Sequence, residues 1–300
     1  MYQHGWYQVG FADVAEDVTP LQFAGRRWML IRQDSTFRVF DATCPHRGAH
    51  LGFGGKLAGD SVVCPFHGYK IALGDDRKHD FCVREYETFV HAGMIFVRVS
   101  DQALTGFPAA LQKLSETYTF VPGFTMELEV DGQLAIENAF DNAHFQPVHG
   151  LCREPVFEVC DGEDDEFAVR GVFHIPPSDW QGKADPSKPV EVDFLARAFS
   201  PGLVVSELLG DFPYDYAVIS AAAPAPEPNH CTIRLSVGLR TPEGQTPDPH
   251  LAKSLLEFSR TGLEMDRLVW NNMLPGMTPN WTEKDRCVRA FTEFCDPFHV

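Results

Sequence analysis

The sequence predicts an α+β fold built from two units, residues 1–105 and residues 106–300. The first unit is typical of short strands joined by tight turns, since apolar runs such as Trp28–Ile31 are bounded by Gly, Asp or Ser. The second contains the longest helical pattern, Leu251–Asn272. The distribution of charge also changes near this boundary. Residues 1–100 hold 11 of the 25 Lys and Arg and 11 of the 42 Asp and Glu, so they carry no net charge. The whole net charge of −17 therefore lies in residues 101–300.

Further elements follow from hydrophobic periodicity and from turn residues. In the first unit, strands are predicted at Phe37–Phe40, Ser61–Val63 and Met94–Val97. In the second unit, a connection is expected to carry a short helix, Ala109–Glu116, and Phe124–Val130 alternates like a strand.

The rest of the second unit is predicted as a helix, an acidic loop and a sheet. Ala135–Gln146 is expected to be a helix that Pro147 ends. The acidic run Asp161–Glu166 is expected to be a solvated loop within a segment rich in Pro and Gly. An antiparallel sheet is predicted from strand-like segments at 190–199, 203–209, 216–223 and 231–239.

Two short segments of the first unit carry metal-ligand residues. Cys44-Pro45-His46 and Cys64-Pro65-Phe66-His67 each offer one thiolate and one imidazole. Two thiolates and two imidazoles suit a Rieske [2Fe–2S] centre, in which the thiolates bind one iron and the imidazoles the other. They also suit tetrahedral zinc, although zinc sites usually pair Cys with Cys and then His with His. The mixed pairs here favour the iron–sulfur cluster.

These segments resemble those of the Rieske family. The resemblance implies that the cluster is bound by Cys44, His46, Cys64 and His67. It also implies that the loops at Arg47-Gly48 and Gly68-Tyr69 aim backbone N–H groups at the sulfurs and tune the reduction potential.

Branches of the Rieske family differ in one further pair of positions. Respiratory members carry an extra disulfide between the two loops, and Ala49 and Phe66 occupy the matching positions here. That disulfide is therefore excluded, which favours the lower-potential ferredoxin and oxygenase branch.

A second constellation follows in the second unit. Asn138, Asp141, His144 and His149 resemble the N-x2-D-x2-H-x4-H pattern of the Rieske non-haem iron oxygenases, in the homotrimeric branch that includes ketosteroid hydroxylases and aryl-ether demethylases. Spacings of three are expected to place the first three residues on one helical face, and Pro147 to let His149 swing back toward them.

The resemblance implies a mononuclear Fe(II) bound by two His and one carboxylate. The ligands are expected to be His144, His149 and Asp266, which lies four residues before Trp270, with Glu264 as the alternative acid. Asp141 is expected to bridge His67 of one subunit and His144 of its neighbour. Asn138 and Asp141 are the side chains assigned a catalytic role.

The same resemblance implies an architecture and a reaction. It implies a helix-grip second unit, a head-to-tail homotrimer, an NAD(P)H-dependent reductase with or without a ferredoxin, and O2-dependent hydroxylation or demethylation of an apolar cyclic molecule. No dinucleotide fingerprint is present, so the nicotinamide chemistry is assigned to a separate protein. The alternative is an electron carrier whose second unit binds no iron. Candidate pocket residues are Phe140, Phe145, Phe199, Leu208, Phe212 and Tyr216.

Composition limits the partners and the location. The absence of a basic patch argues against nucleic acid, and no run approaches the roughly 18 apolar residues that a membrane span needs. Residues 1–10 lack the features of a signal peptide, so a cytoplasmic protein is expected. An acidic donor is expected to dock near Arg47, Lys56 or Lys70. The cysteines expected to be structural thiols are Cys82, Cys152, Cys160, Cys231, Cys287 and Cys295.

Overall fold

The computed structural model describes residues 4–74, 81–100, 104–179, 185–210, 215–241, 246–274 and 276–299. The first unit consists of eleven short strands. In chain order they are β1 Trp6–Phe11, β2 Val18–Phe23, β3 Arg26–Gln33, β4 Thr36–Asp41, β5 Lys56–Leu57, β6 Ser61–Val63, β7 Lys70–Leu73, β8 Cys82–Val83, β9 Glu85–Tyr86, β10 Thr88–His91 and β11 Met94–Arg98.

These strands form three small sheets. Their orders are β1-β11-β10, β2-β3-β4-β9 and β5-β6-β7-β8, and every pair is antiparallel except β7 with β8. The sheet β5-β6-β7-β8 packs with β3 and β4 around an apolar cluster that includes Met29, Ile31, Phe40 and both cysteines of the ligand motif. The predicted antiparallel β unit is confirmed, with that single parallel pair as the exception.

The second unit is a seven-stranded antiparallel sheet with helices on its inner face. Its elements are α1 Phe107–Leu114, β12 Tyr118–Leu128, α2 Gly132–Glu137, α3 Phe145–His149, β13 Glu158–Cys160, β14 Phe167–Ile175, β15 Val190–Ser200, β16 Leu203–Leu209, β17 Tyr216–Pro224, β18 Cys231–Arg240, α4 Pro249–Trp270 and α5 Arg286–Cys295. The sheet order is β12-β18-β17-β16-β15-β14-β13. A long helix against such a sheet is the helix-grip arrangement that the sequence resemblance implied.

Apolar side chains from alternate strand positions hold the sheet against the helices. Leu235 and Val237 of β18, Leu255 and Trp270 of α4 and Phe291 of α5 belong to one buried cluster. A capping Asp248 accepts a hydrogen bond from His250 N at 2.8 Å and Pro249 takes the first helical position, so the start of α4 is fixed locally.

The predicted helix from Ala135 to Gln146 is wrong. The chain is helical to Glu137, makes one 3-10 turn over Asn138–Phe140, and becomes extended at Asp141, with φ −86° and ψ 95°. The Asp141 carboxylate accepts from Ala143 N at 3.0 Å, and this local bond competes with helix continuation. Asn138, Asp141 and His144 therefore do not share one helical face.

Pro147 also behaves differently from the prediction. It lies inside α3, at its third residue, where a backbone N–H has no partner within the helix and its loss costs nothing. The turn that redirects the chain toward His149 therefore occurs at Asp141, before the proline.

Several elements were not predicted, and β14 is one of them. β14 lies in the segment that is rich in Pro and Gly, and its inner side chains Phe167, Val169 and Phe173 are buried. Within the acidic run before it, the buried Glu166 carboxylate accepts from the backbone N–H groups of Glu163 and Asp164.

The two units share an apolar cluster. Trp6, Phe11 and Phe96 of the first unit are buried with Phe107 and Phe199 of the second. Among the helices that the structure describes, none is both long enough and apolar enough to cross a membrane.

Candidate metal centres and substrate cavity

The two ligand loops of the first unit have the same backbone hydrogen bonds. Cys44 N donates to Ala49 O at 2.8 Å, and Gly48 N donates back to Cys44 O at 2.9 Å. The second loop repeats both bonds at Cys64, Gly68 and Tyr69. Glycine suits the position four residues after the cysteine in each loop, because φ is +74° at Gly48 and +73° at Gly68, where a β-carbon is strained.

The side chains in these loops fit a cluster ligand set. Cys44 and Cys64 are buried and unoxidised, and the His46 and His67 rings lie 4.8 Å apart between centroids. His46 Nδ1 is buried without a hydrogen-bond partner, which suits an atom reserved for a metal. Burial raises the pKa of Cys44 and the neighbouring Cys64 raises it further, whereas the backbone N–H groups of His46 and Arg47 lower it.

The second loop forms an exposed tip. His67 is exposed, and Phe66 and Tyr69 beside it have 62% and 44% of their surface accessible. The first loop contributes the exposed Phe53 from the turn that follows it. The imidazole at this tip is thus accessible to another protein.

Three side chains of the second unit converge between α3 and α4. The candidate ligand atoms of His144, His149 and Asp266 all lie within 4.8 Å of one another. His149 Nε2 is 3.2 Å from Asp266 Oδ1, and the two imidazole rings lie 5.1 Å apart at an interplanar angle of 81°. Two His and one carboxylate on one side of a point are the ligand set of mononuclear non-haem Fe(II).

A main-chain contact orients His144. Its Nδ1 lies 2.6 Å from the Asp141 carbonyl oxygen and 3.7 Å from the Asp141 carboxylate. When Nδ1 donates its hydrogen to the carbonyl, Nε2 keeps a lone pair that is available to a metal. Burial lowers the pKa of His144, against the raising effects of Asp266 and Asp141, so the imidazole is held neutral as a ligand must be.

Helix α4 supplies the acid and the space around it. Asp266 is 8% exposed, and Gly262 one turn earlier lies against the His149 ring, with a hypothetical β-carbon 3.9 Å from Cε1. A β-carbon there would make only an ordinary van der Waals contact with the ring. Glu264 points elsewhere, since its carboxylate pairs with Arg267 at 2.6 Å.

A cavity of about 400 Å³ opens beside these three residues. This volume lies in the range of small-molecule sites, about 300–1,000 Å³. Helices α2, α3 and α4 form one side and the sheet forms the other, and most of the lining is apolar. A larger groove of about 970 Å³ lies on the outer face of β14 and β15, but it is lined by many charged residues, and His144, His149 and Asp266 are not part of its lining.

The predicted pocket residues divide into two groups. Phe145, Leu208 and Tyr216 line the cavity, and Asn138 lines it as well. Phe140 stacks on Phe291 and Phe199 packs on Phe107 in the interior, so these two predictions are wrong for the same reason: both rings are fully buried in the core. Phe212 lies outside the described residues.

The sequence analysis missed much of the cavity lining. Ser206, Ser220 and Gly262 are three of the residues concerned. The strand pattern does show the two serines, because each interrupts a series of apolar residues at alternate positions. Only the register of the strands shows that these positions face a cavity. Asn142, to which no role was assigned, donates to Glu154 Oε1 and to Pro155 O and so fixes the segment after α3.

Two protein families match the chain. The Rieske [2Fe–2S] domain matches residues 5–89, and the 3-ketosteroid 9α-hydroxylase C-terminal domain matches residues 105–294. The second match alone covers more than half of the chain.

Individual relatives are distant, and they match different shares of the chain. The oxygenase component of 3-ketosteroid-9-α-monooxygenase from Rhodococcus rhodochrous is 23% identical over 100% of this chain and 83% of its own length. Cholesterol 7-desaturase from Drosophila melanogaster is 28% identical over 49% of this chain, and that match spans only 38% of the desaturase.

Solved structures share the fold. Dicamba monooxygenase bound to dicamba superposes with a TM-score of 0.73 at 17% identity, over 98% of this chain and 96% of that one. The oxygenase in a ferredoxin complex of carbazole 1,9a-dioxygenase gives a TM-score of 0.67 at 15% identity, over 96% and 88%.

The matched domains and the two ligand sets agree on the cofactors, which are a [2Fe–2S] cluster and a mononuclear iron. The chain is a Rieske-type oxidoreductase, and it belongs to the Rieske oxygenases that carry the 3-ketosteroid 9α-hydroxylase C-terminal domain.

Proposed function

We propose that this chain is the terminal oxygenase of a multicomponent system that uses O2 to hydroxylate or demethylate an apolar cyclic molecule. One observation carries the proposal. His144, His149 and Asp266 converge on the wall of an apolar cavity, in a chain that also has the paired Rieske loops. Relatives named for a ketosteroid and for cholesterol support a steroid-like substrate.

The residues have separable roles in this proposal. His144, His149 and Asp266 would hold the iron at the wall of the cavity, and a bound iron would supply the activation of O2. The apolar lining excludes water and positions a C–H or C–O–C group of the substrate beside these three residues. An electron carrier has no need of this cavity and ligand set, which is why the carrier reading is less favoured.

Electrons are proposed to come from an NAD(P)H-dependent reductase, directly or through a ferredoxin. The solved complex of a similarly folded oxygenase with its ferredoxin supports such a donor. Arg47, Lys56 and Lys70 are exposed on the first unit, where an acidic donor meets little repulsion. Charge reversal at these three residues should raise the KM for the donor and leave the KM for the substrate unchanged.

The path between the metals is proposed to cross a head-to-tail homotrimer. His67 is exposed at the tip of its loop, and the Asp141 side chain is about one-third exposed beside His144. Bringing the tip of one chain onto Asp141 of the next places a carboxylate between the two imidazoles, where it fixes both and couples the metals. Exposed Phe66 and Tyr69 supply apolar surface for that contact.

Mixed oligomers test this path. A His67→Ala chain lacks a cluster ligand and a His144→Ala chain lacks an iron ligand, so each alone should be inactive. Co-assembled, they should recover part of the activity if electrons cross between chains. Inactive mixtures, or a monomeric mass by light scattering in an active preparation, would contradict the trimer.

The function itself is tested by metal analysis and turnover. Anaerobically purified protein should contain about three irons and two acid-labile sulfides per chain. With a surrogate reductase, His144→Ala should abolish oxygenation of a steroid panel and keep the visible spectrum of the cluster. Continued turnover by that variant, or about two irons per chain after addition of Fe(II), would favour the electron carrier.

A further inference from the structure

Three hydroxyl groups lie on the floor of the cavity. The inward positions of β16, β17 and β18 are mainly apolar, and they include Val204, Leu208, Val218, Ile233 and Leu235. Ser206, Tyr216 and Ser220 interrupt this apolar floor, and all three line the cavity. We call them the hydroxyl line.

The strand register makes them neighbours. Ser206 on β16 is opposite Val218 on β17, while Tyr216 and Ser220 are the inward residues on either side of Val218. Ser206 is therefore diagonal to both of the others, a relation that places α-carbons about 7–8 Å apart.

None of the described residues makes a hydrogen bond with any of these three hydroxyls. Tyr216 is 5% exposed, so its hydroxyl has little access to bulk solvent. Burial raises the pKa of Tyr216, which keeps it a phenol and a hydrogen-bond donor. Ser206 and Ser220 are half-buried beside it, and hydroxyls inside a fold are normally paired, so the partner of all three is expected inside the cavity. Water takes that place until a bound molecule brings an oxygen atom of its own.

The hydroxyl line lies across the cavity from the candidate iron ligands. Phe145, between His144 and His149, packs on Phe194 of β15 with ring centroids 6.0 Å apart. Phe194 is opposite Leu208, and Leu208 is opposite Tyr216. Tyr216 is thus two strands from Phe194, about 10 Å across the sheet.

We propose that the hydroxyl line binds a ketone or hydroxyl oxygen on the substrate, at the end of the molecule remote from the carbon that is oxidised. The substrate class is then a fused-ring compound with one oxygen substituent, whose ring body fills the apolar part of the cavity. This inference rests on the proposed function for the identity of the reacting end. The binding itself requires only the cavity and the three hydroxyls.

Binding of a matched pair of probes tests the proposal without catalysis. Androstanone carries a ring ketone, and androstane is the same skeleton without it. Anaerobic calorimetric titration of the metal-loaded wild type should show tighter binding of androstanone. Tyr216→Phe and Ser206→Ala should each weaken androstanone about fivefold, the size of one neutral hydrogen bond, and leave androstane unchanged.

Ser236→Ala is the matched control. Ser236 is a fully buried serine of β18, and it faces away from the cavity because it alternates with the cavity residue Leu235. Its removal should not alter the ratio of the two affinities. Equal weakening of both probes by Tyr216→Phe would overturn the proposal, and so would a wild type that does not prefer the ketone.

Turnover separates this inference from the proposed function. If androstanone binds through the hydroxyl line but is never oxidised with a competent reductase, the hydroxyl line stands and the oxygenase proposal fails. If it is oxidised and the variants neither lose affinity nor change the position of oxidation, the oxygenase proposal stands and the hydroxyl line fails.

Discussion

His149 Nε2 lies 3.2 Å from Asp266 Oδ1, and this contact joins a five-residue helix to the 22-residue α4. The short helix has too few turns to be stable alone, so its position depends on what it packs against. Asp266 is fixed by the long helix and is almost completely buried. The carboxylate therefore sets the geometry to which the two histidines conform.

Replacement of Asp266 should remove the mononuclear iron selectively. Asp266→Ala should lower the iron content from about three to about two per chain, with sulfide unchanged, because two imidazoles alone leave the site without its charge-balancing ligand. Oxygenation should fall at least about a hundredfold. Glu264→Gln is the matched control on the same helix and should keep all the iron. Equal iron loss in both variants would show that the helix, and not the ligand, was affected.

Loss of the Asp141 charge should slow electron transfer and spare both metals. In Asp141→Asn the backbone carbonyl that orients His144 remains, so only the carboxylate between the proposed electron donor and acceptor is changed. Stopped-flow oxidation of the pre-reduced cluster, with substrate and O2, should slow about tenfold or more. Asp165→Asn, an exposed acid in the loop before β14, should leave the rate unchanged. An unaltered rate in Asp141→Asn would contradict the bridge.

Glu137 should make the stability of the protein depend on pH. Burial, followed by the charges of Asp141, Asp131 and Asp285, raises its pKa from 4.5 to about 7. From about pH 4.5 to pH 7 the folded chain keeps a proton that the unfolded chain releases, so stability is lost as the pH rises through this range. Glu137→Gln should raise the thermal midpoint by several degrees at pH 8, equivalent to about 1–3 kcal/mol, and by little at pH 4.5. An equal shift at both pH values would assign the gain to packing.

A β-carbon at either loop glycine should make the cluster labile. At Gly48 and Gly68 an added β-carbon meets no atom within 4 Å, so the cost of alanine is the positive φ alone, about 1 kcal/mol at each site. Gly48→Ala and Gly68→Ala should each bleach several times faster under air, followed by visible absorbance. Gly25→Ala provides the same strain, with φ +70°, in the hairpin between β2 and β3, which contains no candidate cluster ligand. Equally fast bleaching of that variant would mean that general destabilisation is responsible.

The two sites differed in how well the sequence predicted their surroundings. The four candidate cluster ligands lie in loops that follow β4 and β6, and the sequence predicted strands at both places. The iron site was harder, because the Asp141 carboxylate accepts a hydrogen bond from Ala143 N and the helix is broken there. A three-residue spacing suggests a continuous helix, and it does not indicate that a side chain will form this local hydrogen bond.

The cavity was only partly predictable for a different reason. Phe145 and Phe140 are both apolar residues close to His144 in sequence, yet one lines the cavity and the other stacks on Phe291 in the core. Which side a residue faces depends on α5, an element for which the sequence analysis assigned no helix. A local sequence pattern does not show how a residue lies relative to an element that is distant in the chain.

The apolar cluster shared by Trp6, Phe11, Phe96, Phe107 and Phe199 limits how this enzyme is able to diversify. The first unit and the second unit share these buried rings, so neither unit is freely exchangeable with the matching unit of another protein. A chimera that exchanges one half inherits cavities or clashes where these aromatic rings met. A change of redox partner is therefore expected to arise by substitution at the exposed loop tip, and a change of substrate by substitution on the cavity floor. The aromatic residues between the two units are expected to stay unchanged.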